Sequence, residues 1–214
     1  MRYRLLIFDS DGTLADTLPW MRSVFNDLAE VHGFRRVEPH EYEQFRDLHG
    51  GGLMRALGLP LWKLPRVVSD MRRRMAERPE PFELFAGIGD ALDRLAAAGM
   101  RIGIVSSNSR LNVERILGHH AARVHHWACG ASVFGKAAKI RAVIKTSGIR
   151  SQEVLYVGDE VRDAIACGKV GIHFGAVTWG QHSEAALRQH SPVVLFHSPE
   201  QMVEWICSGS SGAR

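Results

Sequence analysis

Short apolar runs recur along the chain, each about as long as a buried strand. They fall at residues 5–8, 102–105, 154–157, 172–177 and 193–196. They are continuous rather than alternating, and mostly rich in branched side chains, which is the pattern of strands covered on both faces. Stretches with helical spacing lie between them. Ala91, Leu92, Leu95 and Ala96 precede the second run and stop at Gly99. Val113, Ile116 and Leu117 follow it, and Ile140, Val143 and Ile144, stopping at Gly148, precede the third. Strand then helix, repeated, predicts an α/β fold: a parallel sheet with helices on both faces.

Residues from about 17 to 84 break this rhythm. They hold no convincing strand, and their spacing predicts helices over 20–32, 41–48 and 64–76, with Pro79 and Pro81 marking the return to the α/β part. A helical insertion directly after the first strand follows. The organisation read from the chain is therefore a core of residues 1–16 and 84–207, a helical unit of residues 17–83, and a flexible tail of residues 208–214 that begins Ser-Gly-Ser-Ser-Gly.

Composition narrows the partners. Of 214 residues, 45% are hydrophobic and 23% charged, as in a water-soluble globular protein. The formal charge of +4 is spread along the chain, without the basic stripe or binding motif a nucleic-acid footprint needs. No apolar stretch approaches the roughly 18 to 20 residues of a membrane span, and Asp9 and Asp11 interrupt the one early apolar run that could serve a signal peptide. Cys129, Cys167 and Cys207 are too few and scattered for a disulfide framework or a zinc site. Reduced thiols in the cytoplasm are the expectation.

The candidate chemistry sits where the apolar runs end. In an open parallel sheet, ligands bind outside the carboxyl ends of the strands. The first run ends in Asp9 and Asp11, the second in Ser106, Ser107 and Asn108, and the third in Gly158, Asp159 and, four residues on, Asp163. Lys136 follows Gly135 at the start of the helix leading into the third run. Nearby carboxylates repel and are costly to desolvate, so a cation among them is expected.

These stretches, DSDGT at 9–13, VSSNS at 105–109, GK at 135–136 and GDEVRD at 158–163, resemble the four motifs of the haloacid dehalogenase superfamily in its phosphatase branch. Residues 176–180, AVTWG, are similar to the phosphoglycolate phosphatase-like group. The resemblance implies a Rossmann-like core with an inserted C1-type helical cap, and a phosphatase of small phosphorylated metabolites that needs Mg²⁺, as monomer or homodimer. It implies Asp9 as nucleophile, Asp11 as general acid and base, and Ser106 and Lys136 as phosphoryl-binding catalytic groups. Ser107, Asn108 and Gly12 would line the substrate. Asp9, Asp159, Asp163 and the Asp11 carbonyl would hold the metal, with Glu160 a weaker rival to Asp163 and Lys139 a rival to Lys136.

Other features have plainer readings. His119-His120 and His125-His126 read as solvated loop or helix-end histidines, since adjacent residues do not share a helix face. Arg72-Arg73-Arg74 reads as a solvated helix face with one arginine packed or paired, and the five tryptophans as core or domain contacts. Gly50-Gly51-Gly52 is either a plain loop or a point of substrate approach. Asp16-Thr17 reads as a helix N-cap or as the hinge into the insertion. Arg22, Arg46 and Arg55 are unranked candidates for a second anionic group on the substrate.

Related activities stay open to different degrees. The 2-haloacid dehalogenases lack the acid two residues after the nucleophile, because carbon–halogen cleavage leaves no alcohol to protonate, so Asp11 argues against them. A phosphonoacetaldehyde hydrolase needs a cap lysine, for which Lys63 is the one lysine between 17 and 84. A sugar phosphomutase would use the same apparatus. A receiver-type phospho-aspartate module or a binding protein with a vestigial site are the non-enzyme alternatives.

Overall fold

A computed structural model of the chain describes residues 2–78, 80, 82–130 and 135–209. In chain order the strands and α-helices are β1 (Leu5–Phe8), α1 (Leu18–His32), α2 (Tyr42–Arg46), α3 (Gly50–Ala56), α4 (Leu64–Ala76), α5 (Ile88–Ala97), β2 (Arg101–Val105), α6 (Arg110–Leu117), β3 (Val124–Ala128), α7 (Gly135–Ser147), β4 (Val154–Gly158), α8 (Val161–Val170), β5 (His173–Val177), α9 (Glu184–Arg188), β6 (Val194–Phe196) and α10 (Pro199–Ser208). The strands form one six-stranded sheet in the order β3-β2-β1-β4-β5-β6. Every pairing is parallel. The order reverses between β1 and β4, which opens a crevice at the carboxyl ends of those strands.

Two apolar layers explain why the runs are continuous. Leu6, Phe8, Ile102, Ile104, Leu155 and Val157 point to one face and bury against α5, α6 and α10. Their neighbours Leu5, Ile7, Val105, Val154 and Tyr156 point to the other, against α7, α8 and α9. Alternate residues feed opposite layers, so both must be apolar.

All five apolar runs coincide with observed strands to within a residue at each end. The strand β3 was not read, and its histidines correct the reading of His125-His126 as loop or helix-end residues. Its sequence, Val-His-His-Trp-Ala, carries little apolar signal because it is an edge strand packed half-buried beside β2. Its register to β2 shifts between Ile102 and Gly103. There the ring Nδ1 of His125 accepts the Ile102 amide at 3.2 Å, so a side chain replaces a ladder bond.

The segment between β1 and α5 is helical. Val37, Leu57, Leu59 and Val67 form a small core of their own, with Phe25, Phe34 and Phe45 around it. A second cluster, Ala15, Met75, Phe82 and Ile116 with Trp20, joins this segment to the sheet layer. Gly50-Gly51-Gly52 is not a loop: it forms the first turn of α3, and open space lies where a Cβ would stand on each of the three. Thr17 occupies the N-cap position of α1 without a side-chain cap bond. Trp62 departs from the expected core or domain contact, being 67% exposed. Pro79, Pro81 and residues 210–214 of the tail lie outside the described residues, while Ser208 closes α10 rather than opening a frayed tail. No helix among the described residues is long and apolar enough to cross a membrane.

The two-layer packing makes a simple contrast. Leu6→Ala, at a fully buried site, is expected to lower the unfolding free energy by about 2–5 kcal/mol. Leu111→Ala, at a residue 66% exposed, is expected to change it by less than about 0.5 kcal/mol. Urea denaturation of the two variants measures both.

Candidate active site

Strand register assembles the site. Phe8 is level with Ile104 on one side and Val157 on the other. Asp9 therefore emerges beside the last residues of β2 and β4, and its amide donates to the Val157 carbonyl at 3.0 Å. The chain must then turn sharply. The amides of Thr13, Leu14 and Ala15 all donate to the Ser10 carbonyl, and Gly12 turns with φ +78°. A side chain at Gly12 would be strained by that φ, and its Cβ would stand 2.3 Å from Asp159 Oδ2.

The carboxylate oxygens of Asp9, Asp159 and Asp163 lie within 4.8 Å of one another, and all three residues are buried. The Lys136 ammonium bridges Asp9 and Asp163. Asp159 accepts from Thr13 Oγ1 at 2.6 Å and from the Gln181 amide at 2.8 Å. The loop carrying Gln181 folds over Asp159 so closely that a Cβ on Gly180 would lie 2.2 Å from the Asp159 Cβ. Trp179 Nε1 donates to the Thr13 carbonyl at 3.0 Å, tying this loop to the Asp9–Thr13 turn. Asp163 sits in the first turn of α8 and accepts the Glu160 amide at 3.3 Å, while Glu160 itself pairs with Arg162.

The other expected residues divide. Asp11 stands outside the three-carboxylate group and accepts Asn108 Nδ2 at 3.4 Å. Ser106 is buried and its Oγ accepts the Asn108 amide at 3.0 Å, leaving its hydroxyl proton for another acceptor. Ser107 is half-buried in the same loop. Asn108 spends its side chain on Asp11, the Met75 sulfur and Asn112, and so acts as a junction. Lys139 does not join the acids: it donates to the carbonyls of Ser106 and Gly130 and pins the loop after β2. Lys63 donates to the His32 carbonyl at 2.9 Å inside the helical segment. His119 and His120 do approach a common partner, Asp93, within 4.8 Å, contrary to the expectation of solvated loop histidines, but Asp93 already accepts Arg123 Nε at 2.8 Å. Thr13 as a partner of Asp159 and the Gln181 amide were not foreseen. The first had a signal in the motif itself, whereas a backbone donor leaves none in the sequence.

Electrostatics point the same way. Burial and repulsion from Asp9 push Asp11 up to about 6, against Thr17, Arg162 and Asn108, which favour its charge. Burial lifts Asp163 to about 7, with Lys136 opposing and Asp9 adding to the rise. Burial, then Glu160 and Asp9, holds Asp159 well above the usual carboxylate range. Burial works against the Lys136 charge, yet Asp163 and Asp9 outweigh it and raise its pKa. One ammonium does not balance this many buried carboxylates. The donor set is oxygen only and short of positive charge, which fits a hard divalent cation such as Mg²⁺.

A parallel sheet in this order, with acids gathered at its switch point and helices inserted after β1, defines a Rossmann-like α/β protein. More specifically, the chain belongs to the haloacid dehalogenase-like hydrolases, whose pattern matches residues 6–177. It is 31% identical over 201 residues to a phosphoglycolate phosphatase of Synechococcus elongatus, covering 93% of this chain and 95% of that protein. It is 25% identical over 219 residues to an N-acetylmuramic acid 6-phosphate phosphatase of Pseudomonas aeruginosa, covering 95% of each. A haloacid dehalogenase-like hydrolase of Streptococcus pneumoniae shares the fold, with a TM-score of 0.78, 18% identity and coverage of 96% of this chain and 99% of that one.

The raised carboxyls set a pH dependence for metal binding. In the unfolded chain they ionise near pH 4, whereas in the fold Asp11 holds its proton to about 6 and Asp163 to about 7. Their contribution to stability in the metal-free protein thus falls as pH rises from about 5.5 to 8. Half-buried His126 and His173 and buried His182, with lowered pKa values, work the other way. The gain in melting temperature on adding Mg²⁺ cancels the histidine contribution. At about pH 5.5 a cation must displace protons that are gone by pH 8, so the gain is expected to be larger at pH 8. Scanning calorimetry with Mg²⁺ and with chelator at both pH values measures it, and an equal gain would contradict the assignment.

Proposed function

We propose that this chain is a Mg²⁺-dependent phosphatase of a small, phosphoglycolate-like phosphorylated metabolite, working through an aspartyl-phosphate on Asp9. The observation that carries the reading is the buried meeting of Asp9, Asp159 and Asp163 around Lys136 at the end of β1. The similarity to a phosphoglycolate phosphatase over nearly the whole chain supports the substrate class.

Each residue has a task that its surroundings suit. Lys136 donates to Asp9 and holds its carboxylate aimed along the end of β1. Asp9 attacks phosphorus, and the bond from phosphorus to the substrate oxygen breaks. Asp11 gives its proton to that departing oxygen; a carboxyl near 6 holds a proton long enough to serve as an acid at neutral pH. Asp11 then takes a proton from water, whose oxygen attacks phosphorus and releases Asp9 and inorganic phosphate. The Ser106 hydroxyl, with Ser107, Asn108 and the Gly12 turn nearby, receives the phosphoryl oxygens. Asp9, Asp159, Asp163 and the Asp11 carbonyl would hold Mg²⁺, which when bound neutralises charge on the carboxylates and on the phosphoryl group. Thr13 and the Gln181 amide fix Asp159 for that role.

In this reading residues 17–83 act as a cap over a core of residues 1–16 and 84–207. Arg46 donates to the carbonyls of Gly180 and Gln181, and Asp47 accepts from the Ser183 amide and hydroxyl at 2.8 and 2.6 Å, so the helical segment is latched to the loop above Asp159. Such closure excludes water from the reacting phosphorus. Free Cys129, Cys167 and Cys207 suit a cytoplasmic setting.

The direct test is release of phosphate from p-nitrophenyl phosphate and phosphoglycolate. Turnover is expected to require Mg²⁺ and to fall by roughly a thousandfold or more in Asp9→Asn. Asp11→Asn is expected to lose about 10²–10⁴-fold. Full turnover by Asp9→Asn would remove it as the nucleophile.

A further inference from the structure

The arginines of the helical segment are not equivalent. Arg46 is bound to the loop carbonyls of Gly180 and Gln181, Arg55 donates to the Gly51 carbonyl, and Arg22 lies over the Tyr42 ring. In the Arg72-Arg73-Arg74 run, Arg73 pairs with Asp70 and Glu77, and Arg74 lies near Asp27 and Asp70. Arg72 differs from all of these. Its Nε is buried without a hydrogen-bond partner. Burial lowers its pKa, and the Asp11 carboxylate, close enough for its charge to be felt, opposes that shift. A buried donor left unpaired is uncommon and costly, so it marks a place where a ligand atom belongs.

Three contacts fix the stretch of α4 that carries Arg72. The Arg72 carbonyl accepts Asn112 Nδ2 at 3.3 Å, the Met75 sulfur meets Asn108 Nδ2 at 2.8 Å, and the Ala76 carbonyl accepts Arg115 at 2.8 Å. The carboxyl-terminal half of α4 is thereby docked on α6 and on Asn108 of the loop after β2, which carries Ser106 and Ser107. Arg72 thus lies close enough for its charge to act on Asp11, the residue assigned above to protonate the departing oxygen. A guanidinium presents paired N–H donors that match a carboxylate or phosphate, and it stays charged when partly buried.

We propose that Arg72 binds a second anionic group, carried on the alcohol portion of the phosphomonoester whose phosphoryl group lies at Asp9. The assignment rests on the phosphatase reading above and adds a substrate class to it: short phosphomonoesters with a carboxylate or a further phosphate close to the ester oxygen. Arg72 is here a specificity-determining residue; it reads the leaving group and takes no part in bond breaking.

The test compares two esters of nearly equal size, phosphoglycolate and 2-hydroxyethyl phosphate, which differ in carboxylate against alcohol. The wild type is expected to favour phosphoglycolate in kcat/KM. Arg72→Gln is expected to lose about ten- to hundredfold on phosphoglycolate, mainly through KM, while turnover of 2-hydroxyethyl phosphate changes less than about threefold. Arg72→Lys should recover part of the preference, and Arg73→Gln should leave it unchanged. A bisphosphorylated short ester distinguishes a phosphate reader from a carboxylate reader by the same ratio. Calorimetric binding of phosphoglycolate to Asp9→Asn, with and without Arg72→Gln, gives a readout free of turnover and should show the same loss. Equal losses on both esters in Arg72→Gln, or an unchanged ratio, would overturn the assignment. Wild-type protein that hydrolyses neither ester nor p-nitrophenyl phosphate would instead overturn the phosphatase reading itself.

Discussion

Buried carboxylates crowd around a single ammonium, and most of what surrounds them follows from that charge imbalance. Asp9, Asp159 and Asp163 are each at most 2% exposed, so water cannot screen their repulsion. Lys136 relieves part of it by touching two of them at once. The remainder appears as raised pKa values of Asp159 and Asp163. A site in this state is poorly balanced alone and well balanced with a divalent ion and a phosphate, which is what a phosphoryl-transfer centre requires.

The sheet is what makes such a concentration of charge tolerable. Parallel pairing brings β1 and β4 to the same level, and the reversal of strand order leaves room beyond their ends. Small backbone details then finish the work. Gly12 allows the turn after Asp9, and Gly180 lets the loop after β5 close on Asp159. Thr13 and the Gln181 amide hold that carboxylate from two directions. The hydrophobic layers on both faces supply the stability against which this unfavourable burial is set.

The helical segment meets the core through two unlike contacts. On one side, polar links from Arg46 and Asp47 reach the loop over Asp159. On the other, Met75 and the carbonyls of Arg72 and Ala76 rest on Asn108, Asn112 and Arg115. The first contact ends on the loop over Asp159 and the second on α6 and on Asn108 of the loop that carries Ser106, so the position of the helices and the geometry of the site are physically joined.

The sequence alone pointed to the α/β class, to the helical insertion and to Asp9, Lys136, Asp159 and Asp163, which the structure brings together. It could do so because strand periodicity and charged residues at strand ends are local signals. Where the signal was weak, the reading failed: β3 carries two histidines and a shifted register, so nothing apolar announced it. Only the tertiary structure decided that Lys136 rather than Lys139 reaches the acids, because two lysines one helical turn apart differ only in the direction they point. The same holds for Arg72, which is one of three adjacent arginines in the sequence. Only the packing of α4 on α6 leaves the Nε of that one buried and without a partner, within reach of the Asp11 charge.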